Sequence, residues 1–314
     1  MNAALTSNVA TDLAEFDRGI DFSGMQLTSL AAPARQGAKF IMRYSAGAAS
    51  APTHPSHASV EWKLCGADEL NQIVAAGYDF LANSEWTTGR ITQGGAAGEE
   101  DGLADRKFWS HRGLARGASI YVSWDEAQPA TDKHGKVAEY LLAYQDALDG
   151  KYHADLYAGD VAISAMLDRG VIRYGWRAMS DAWSGNGSFF QPGTNWKAVA
   201  QQVAQVSEAH LWQNGNAWFH GGADEDVILK LPIGSHLEAL GGKLRELSKS
   251  SKSKRPIENL AAAKGVCTVV AGDTMSSIAR RNGLSLAQLE QLNPNAGHPA
   301  GQFALIRPGD LLNV

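Results

Sequence analysis

Ser119–Asp125 reads SIYVSWD, an apolar run that ends on an acid. Four other stretches read as strands of the same kind, apolar runs that give way to polar residues: Gly19–Ser23 (GIDFS), Lys39–Ser45 (KFIMRYS), Tyr78–Trp86 (YDFLANSEW) and Ala154–Gly159 (ADLYAG). Near-continuous apolar runs that close on polar residues are the pattern of strands buried on both faces. Between them lie stretches with helical spacing. Ala67–Ala76 stops at Gly77, a residue suited to the position just past a helix end. Val137, Leu141, Tyr144 and Leu148 share one face of Lys136–Leu148. Val161–Arg169 stops at Gly170. Alternating strands and helices imply a parallel sheet, and this many units favour a closed barrel over an open sheet. After Gly170 the rhythm changes. Tyr174–Met179, His210–Asn214 and Asp226–Leu229 are strand candidates, with one clear helix at Trp196–Ser207. The expected fold is α/β, a TIM-like (β/α) barrel with irregular last strands.

Working outward, the 314 residues suit one large domain and one small one. Residues 1–18 read as a loose leader and 19–240 as the barrel. Residues 241–264 centre on Ser248–Pro256 (SKSSKSKRP), a Ser/Lys-rich linker composition. Residues 265–314 form a separate module. There Val266–Val270 is a strand, and Asp273 or Thr274 caps a helix buried through Met275, Ile278 and Ala279. Ser285 and Gln288 form a capping box for a second helix, with Leu286, Leu289 and Leu292 inward. Leu311–Val314 can pair back on the first strand, which completes a βααβ order.

A formal net charge of -5 gives no electrostatic case for nucleic acid as a partner. Two cysteines, Cys65 and Cys267, fall in different domains, so a disulfide framework is not expected. No apolar run approaches the roughly 18 residues of a membrane span. Met1–Asp17 lacks the pattern of a secretory signal. The expectation is therefore synthesis in a host cytoplasm and release to the wall through a phage holin.

In a parallel barrel the C-terminal strand ends share one mouth. Asp21, Glu85, Asp125 and Glu126 fall at such ends, whereas Asp155 begins its strand and belongs to the opposite face. Glycosidic bonds are commonly cut by two carboxyl groups, one donating a proton and the other stabilising the sugar cation. A single strand-end Asp more often caps a helix or turn. Acids on candidate strands one, three and four, converging on one mouth, favour a site instead. Trp86, Tyr157, Trp176, Trp212 and Gln213 lie at or near strand ends, where aromatic faces could stack on sugar rings. Ordinary barrel packing is the alternative for each. Zinc hydrolase chemistry needs clustered His, and only His54 and His57 lie close together, in a Pro-rich loop without HExxH. Cys65 carries no signature of a nucleophile, and no phosphate-binding glycine pattern occurs. No cofactor or metal is expected.

Residues 265–314 resemble the LysM family, through VVAGDT (269–274), SIARRNGLSLAQLEQLNPN (277–295) and RPGDLLNV (307–314). The resemblance implies binding to the N-acetylglucosamine of peptidoglycan. It places the groove at Gly272, Asp273, Thr274 and Met275 in one loop and Asn293, Pro294 and Asn295 in the other, with Ile306 beside them. Residues 19–229 resemble a glycoside-hydrolase-like family of actinobacteria and their phages, related to the family 25 muramidases. The matching segments include GIDFS, IMRYSAG, SEWTTGR, SIYVSWDE, LYAGD, GWRAMSDAWSG and LWQNGNAWFHGGADED. By that resemblance Asp21, Glu85 and Asp125 are the acids of strands one, three and four, and Asp224 and Asp226 are a late acidic pair that holds the site together. The muramidases carry their proton donor two positions after the fourth-strand Asp, where this chain has Ala127. Glu85 then becomes the acid, or a bulge turns Glu126 inward, or the barrel no longer cuts. The expected function is an endolysin-type muramidase directed to peptidoglycan by LysM. The alternative is a glycan-binding protein with a degenerate barrel.

Overall fold

The computed structural model describes residues 13–22, 37–126, 133–178, 195–214 and 223–240. Towards the C-terminus it describes 265–270, 278–279, 281–282, 284, 289, 292–293 and 309–314. Eight strands close into a barrel. They are β1 (Arg18–Asp21), β2 (Ala38–Ser45), β3 (Asp79–Ser84), β4 (Ser119–Ser123), β5 (His153–Ala158), β6 (Gly175–Arg177), β7 (Leu211–Gln213) and β8 (Asp224–Ile228). The first seven run parallel. The eighth is antiparallel to both β7 and β1 and seals the ring. The described helices are α1 (His57–Val60), α2 (Glu69–Ala75), α3 (Gly95–His111), α4 (His134–Ala147), α5 (Asp160–Asp168) and α6 (Trp196–Val206). The architecture is thus an α/β barrel whose closing strand is irregular.

Successive side chains along a strand point to opposite faces, and two apolar sets follow. Phe40, Met42, Leu81, Tyr121, Tyr157, Trp176, Leu211 and Ile228 fill the interior. Ile20, Ile41, Phe80, Ile120, Val122, Leu156 and Val227 pack outward against Leu70, Ile73, Val137, Leu141, Ile163, Met166 and Val203 of the helices. Both faces are dry, which is why the strands read as unbroken apolar runs. The N-terminal end of the barrel is plugged. Tyr121 donates to the Ile233 carbonyl at 2.8 Å, Ser235 bonds the Asp79 carboxylate, and the Leu237 N–H donates to Asp79 at 2.9 Å. Asp155 belongs to this floor, where it accepts from Ser119 at 2.6 Å and from the Arg173 and Tyr174 N–H groups at 2.8 Å.

The 17-residue helix α3 carries no apolar stripe of ordinary strength, and the sequence reading passed it over as a helix. Its buried face toward α4 is made of Gly98, Asp101, Gly102 and Asp105. Tyr140 donates to Asp101 and Tyr144 to Asp105, each at 2.6 Å. The two glycines lie directly against the Tyr140 and Tyr144 carbonyls, where a Cβ would come to 2.1 and 2.7 Å. Two helix backbones therefore touch without intervening side chains.

In the C-terminal region β9 (Val266–Thr268) and β10 (Leu311–Asn313) pair antiparallel, with Leu312 opposite Cys267. Val269, Ile278, Ala279, Leu289 and Leu312 are buried together. Among the described residues no helix is long and apolar enough to cross a membrane.

Candidate active site

Every parallel strand delivers its C-terminal end to one mouth, and the antiparallel β8 delivers its N-terminal end there. Alternation from the interior residues then decides what faces inward. On β1 it is Asp21, next to outward Ile20. On β3 the inward series Asp79, Leu81, Asn83 continues to Glu85. On β4 the series Ser119, Tyr121, Ser123 continues to Asp125. On β8 it is Asp224 and Asp226, flanking outward Glu225, which pairs with Arg18 at 3.3 Å.

The side chains at the mouth form one hydrogen-bonded set. Tyr44, inward at the end of β2, donates to Asp21 Oδ1. Gln213, from β7, donates through Nε2 to Asp21 Oδ2 at 2.9 Å and to Asp224 at 3.4 Å. Its Oε1 accepts from Tyr157 at 2.7 Å. Trp176 donates to Asp226 Oδ1 at 2.9 Å, while Asp226 Oδ2 is buried with no partner among the described residues. Glu85 Oε1 meets the Lys63 ammonium at 2.9 Å. Lys63 is almost wholly buried, whereas a third of Glu85 is exposed. Asp125 Oδ1 is buried and likewise without a partner.

Charges crowd here, and the protonation of the acids responds. Burial pushes the Asp21 carboxyl up to about 7, helped by the Asp224 and Glu85 charges and opposed by the Tyr44 and Gln213 hydrogen bonds. Burial, with Asp21 and Asp224 beside it, raises Asp226 well above the usual carboxylate range. Asp125 rises to about 6 through burial and the Glu85 charge, with Lys63 pulling the other way. The mouth therefore holds carboxyl groups that burial keeps from ionising easily, within mutual electrostatic reach. That is the requirement for acid–base work on a bond to oxygen. No group of His, Cys, Asp and Glu among the described residues has the arrangement to hold a metal ion.

Residues 31–227 match the model of the Rv2525c-like, glycoside hydrolase-like domain. The chain belongs to that family. Residues 267–314 match the LysM domain, so the Rv2525c-like barrel is joined to a cell-wall binding module. Two crystal structures of the Mycobacterium tuberculosis Tat-secreted protein Rv2525c resemble it, in complex with HEPES and with L-tartrate. Each is 18% identical and covers 70% of this chain and 98% of its own, with TM-scores of 0.54 and 0.53. At that identity the likeness speaks for the fold. The catalytic domain of endolysin ply40 from Listeria monocytogenes bacteriophage P40 is more distant, at 15% identity, 68% and 93% coverage and a TM-score of 0.39. No curated protein matches the chain significantly. The expectation of cytoplasmic synthesis without a signal and release through a phage holin is corrected. The Rv2525c structures that the chain resembles are of a Tat-secreted protein, not of one released through a holin.

Other expected site residues of the Rv2525c-like barrel lie elsewhere. Trp212 neighbours inward Gln213 and so faces outward, buried in the layer beneath the helices. Trp86 sits beside the mouth, packed with Ala46, Ala49 and Val60, edge-on to His54 at 4.9 Å and under the Arg90 guanidinium. Glu126 is not turned inward by a bulge but pairs with Lys133 at 2.6 Å. Ala127 lies outside the described residues, as do Gly272, Asp273, Thr274, Met275, Pro294, Asn295 and Ile306 of the expected LysM groove. Asn293 is described, and its amide is occupied with the chain itself. It donates to the Leu289 and Asn313 carbonyls at 2.9 and 2.8 Å and accepts from the Asn313 N–H at 2.7 Å. Tyr44 and Lys63 were not singled out from the sequence. Tyr44 was within reach, since it lies two alternations beyond Phe40 in a recognised strand. Lys63 sits on a short 3-10 turn, Glu61–Lys63, with no periodic signal.

The raised carboxyls have a consequence for stability. A carboxyl whose folded pKa lies above its unfolded value, about 3.9 for Asp, binds more protons when folded. Stability then falls as pH rises from the unfolded value through the folded one. Asp226→Asn keeps an acceptor for Trp176 and removes the titration. The variant should melt higher than wild type at pH 7, by roughly 5 °C, and the two melting curves should converge near pH 4. Thermal scans between pH 4 and 8 check this, and a variant that melts lower at pH 7 contradicts it.

Proposed function

We propose that the chain is a secreted peptidoglycan hydrolase that cuts the glycan strand in the manner of a muramidase, at the β-1,4 bond between N-acetylmuramic acid and N-acetylglucosamine. The barrel would span 19–240, a tether 241–264 and the wall-binding module 265–314. One observation carries the reading. Asp125 and Glu85 face the same hollow in unlike settings, Asp125 buried and pushed up to about 6, Glu85 part-exposed and paired with the Lys63 ammonium at 2.9 Å.

That contrast favours Asp125 as proton donor and Glu85 as the carboxylate partner, the reverse of the roles expected from the sequence. Asp125 gives its proton to the glycosidic oxygen as the C1–O bond breaks. The Glu85 carboxylate stabilises the positive charge growing at C1. Water adds to C1, and the proton it sheds restores the starting charge of the pair. Asp21, held by Tyr44 and Gln213, and the Asp224–Asp226 pair shape the electrostatics beneath the sugar. Tyr157 and Trp176 pack beneath the hollow and hold Gln213 and Asp226 from below. The LysM module raises the local concentration of substrate through the tether.

The full-length protein, incubated with purified peptidoglycan, should release reducing ends, and mass spectrometry of the fragments should show muramic acid at the new reducing terminus. Glu85→Gln should lower the rate about 100-fold or more. A wild-type protein that binds peptidoglycan and releases nothing would reduce the barrel to a glycan-anchoring domain.

A further inference from the structure

The segment that carries Lys63 is stitched to the end of β2 with unusual care for a loop. Leu64 forms a parallel bridge with Tyr44, and the Cys65 N–H donates to the Tyr44 carbonyl at 2.8 Å. The buried Arg43 guanidinium reaches the Lys63 and Leu64 carbonyls at 3.4 and 3.5 Å, and is itself gripped by Glu69 at 2.5 Å. The backbone beside Lys63 is therefore fixed to the same strand end that presents Tyr44 to Asp21. From that platform the side chain runs inward, and its ammonium ends on Glu85 Oε1.

Removing an ammonium from water costs several kcal/mol, and one partly exposed carboxylate is a poor return on it. A methionine would occupy similar space without that cost. Stability alone does not account for a lysine here. Among the described residues, the titratable groups that feel the Glu85 charge are Asp21 from β1, Tyr44 from β2, Asp125 from β4 and Tyr157 from β5. None is basic. Among the described residues, Lys63 is the cation that meets Glu85.

We propose that Lys63 is a positioning residue, which fixes the Glu85 carboxylate at the mouth through their ion pair and so leaves proton donation to Asp125. The proposal rests on the hydrolase reading for its catalytic meaning, and on the ion pair and its braced loop for its structure. Lys63 acts through Glu85. Its charge also reaches Asp125, where it opposes the rise caused by burial and by Glu85.

The test uses full-length protein carrying 13C-labelled aspartate carboxyls, as wild type, Lys63→Met, Lys63→Gln and Lys63→Arg. In wild type Asp125 should titrate near 6. In Lys63→Met the titration should move upward, and in Lys63→Arg it should return toward the wild-type position. Lys63→Gln serves the same purpose if the methionine variant does not fold. With purified peptidoglycan, Lys63→Met should lose about tenfold or more in kcat with KM nearly unchanged, and its pH–rate profile should shift with the Asp125 titration. An Asp125 titration that stays in place without Lys63 overturns the proposal. A wild-type protein that cleaves nothing sinks the hydrolase reading instead, and the carboxyl titration still decides what Lys63 does.

Discussion

Asp125→Asn is expected to lower the rate of glycan cleavage by about 10²–10⁴-fold, the usual contribution of a positioned general acid. The asparagine has the same shape and keeps the oxygen that sits buried without a partner, but it has no proton to give to the leaving oxygen. Its fold should survive, because the wild-type carboxyl already resists ionisation there. The neighbouring substitution Glu126→Gln supplies the contrast. It removes only a part-exposed ion pair with Lys133, worth about 0–1 kcal/mol, and should leave the rate nearly intact. Reducing-end assays on the two variants separate the inward acid from the outward one. Equal losses in both would place the donor outside this pair.

The second large effect concerns stability. Gly98→Ala would set a methyl group 2.1 Å from the Tyr140 carbonyl oxygen and 2.9 Å from its Cα. These are backbone atoms of α4, so no side chain can rotate away, and α3 must lift. Overpacking of this kind costs about 1–3 kcal/mol, and more where backbone must shift. The gain in helix propensity, about 1 kcal/mol, offsets only part of that. Moving α3 also strains the Tyr140–Asp101 and Tyr144–Asp105 hydrogen bonds. A fall in Tm of roughly 5–10 °C is expected. Gly135→Ala on α4, where an added Cβ meets nothing within 4 Å, should raise Tm slightly. A Gly98→Ala protein as stable as wild type would mean that the two helices are not in backbone contact.

The barrel was legible because its strands are dry on both sides and so announce themselves as apolar runs. The two-residue period then carries the site with it. Once Met42, Leu81 and Tyr121 are inward, Asp125 is inward by counting and Glu126 is not. Trp212 fails as a groove residue by the same count, since Gln213 beside it faces the hollow. What the sequence hid has physical reasons. Toward α4, α3 buries glycine and aspartate where a helix usually buries leucine, because that neighbour approaches through backbone and tyrosine hydroxyls. Lys63 reaches the mouth from a loop, where neither the helical nor the strand period applies. The settings that distinguish Glu85 from Asp125 depend on a third side chain, Lys63, far from both in sequence.

The antiparallel course of β8 also decides where the chain departs. Its last residue, Ile228, ends at the plugged floor, and Ile233, Ser235 and Leu237 cross that floor to reach Asp79 and Tyr121. The route toward the C-terminal module thus starts behind the barrel, on the side away from the acids. A chain that leaves by the floor keeps clear of whatever enters at the opposite end.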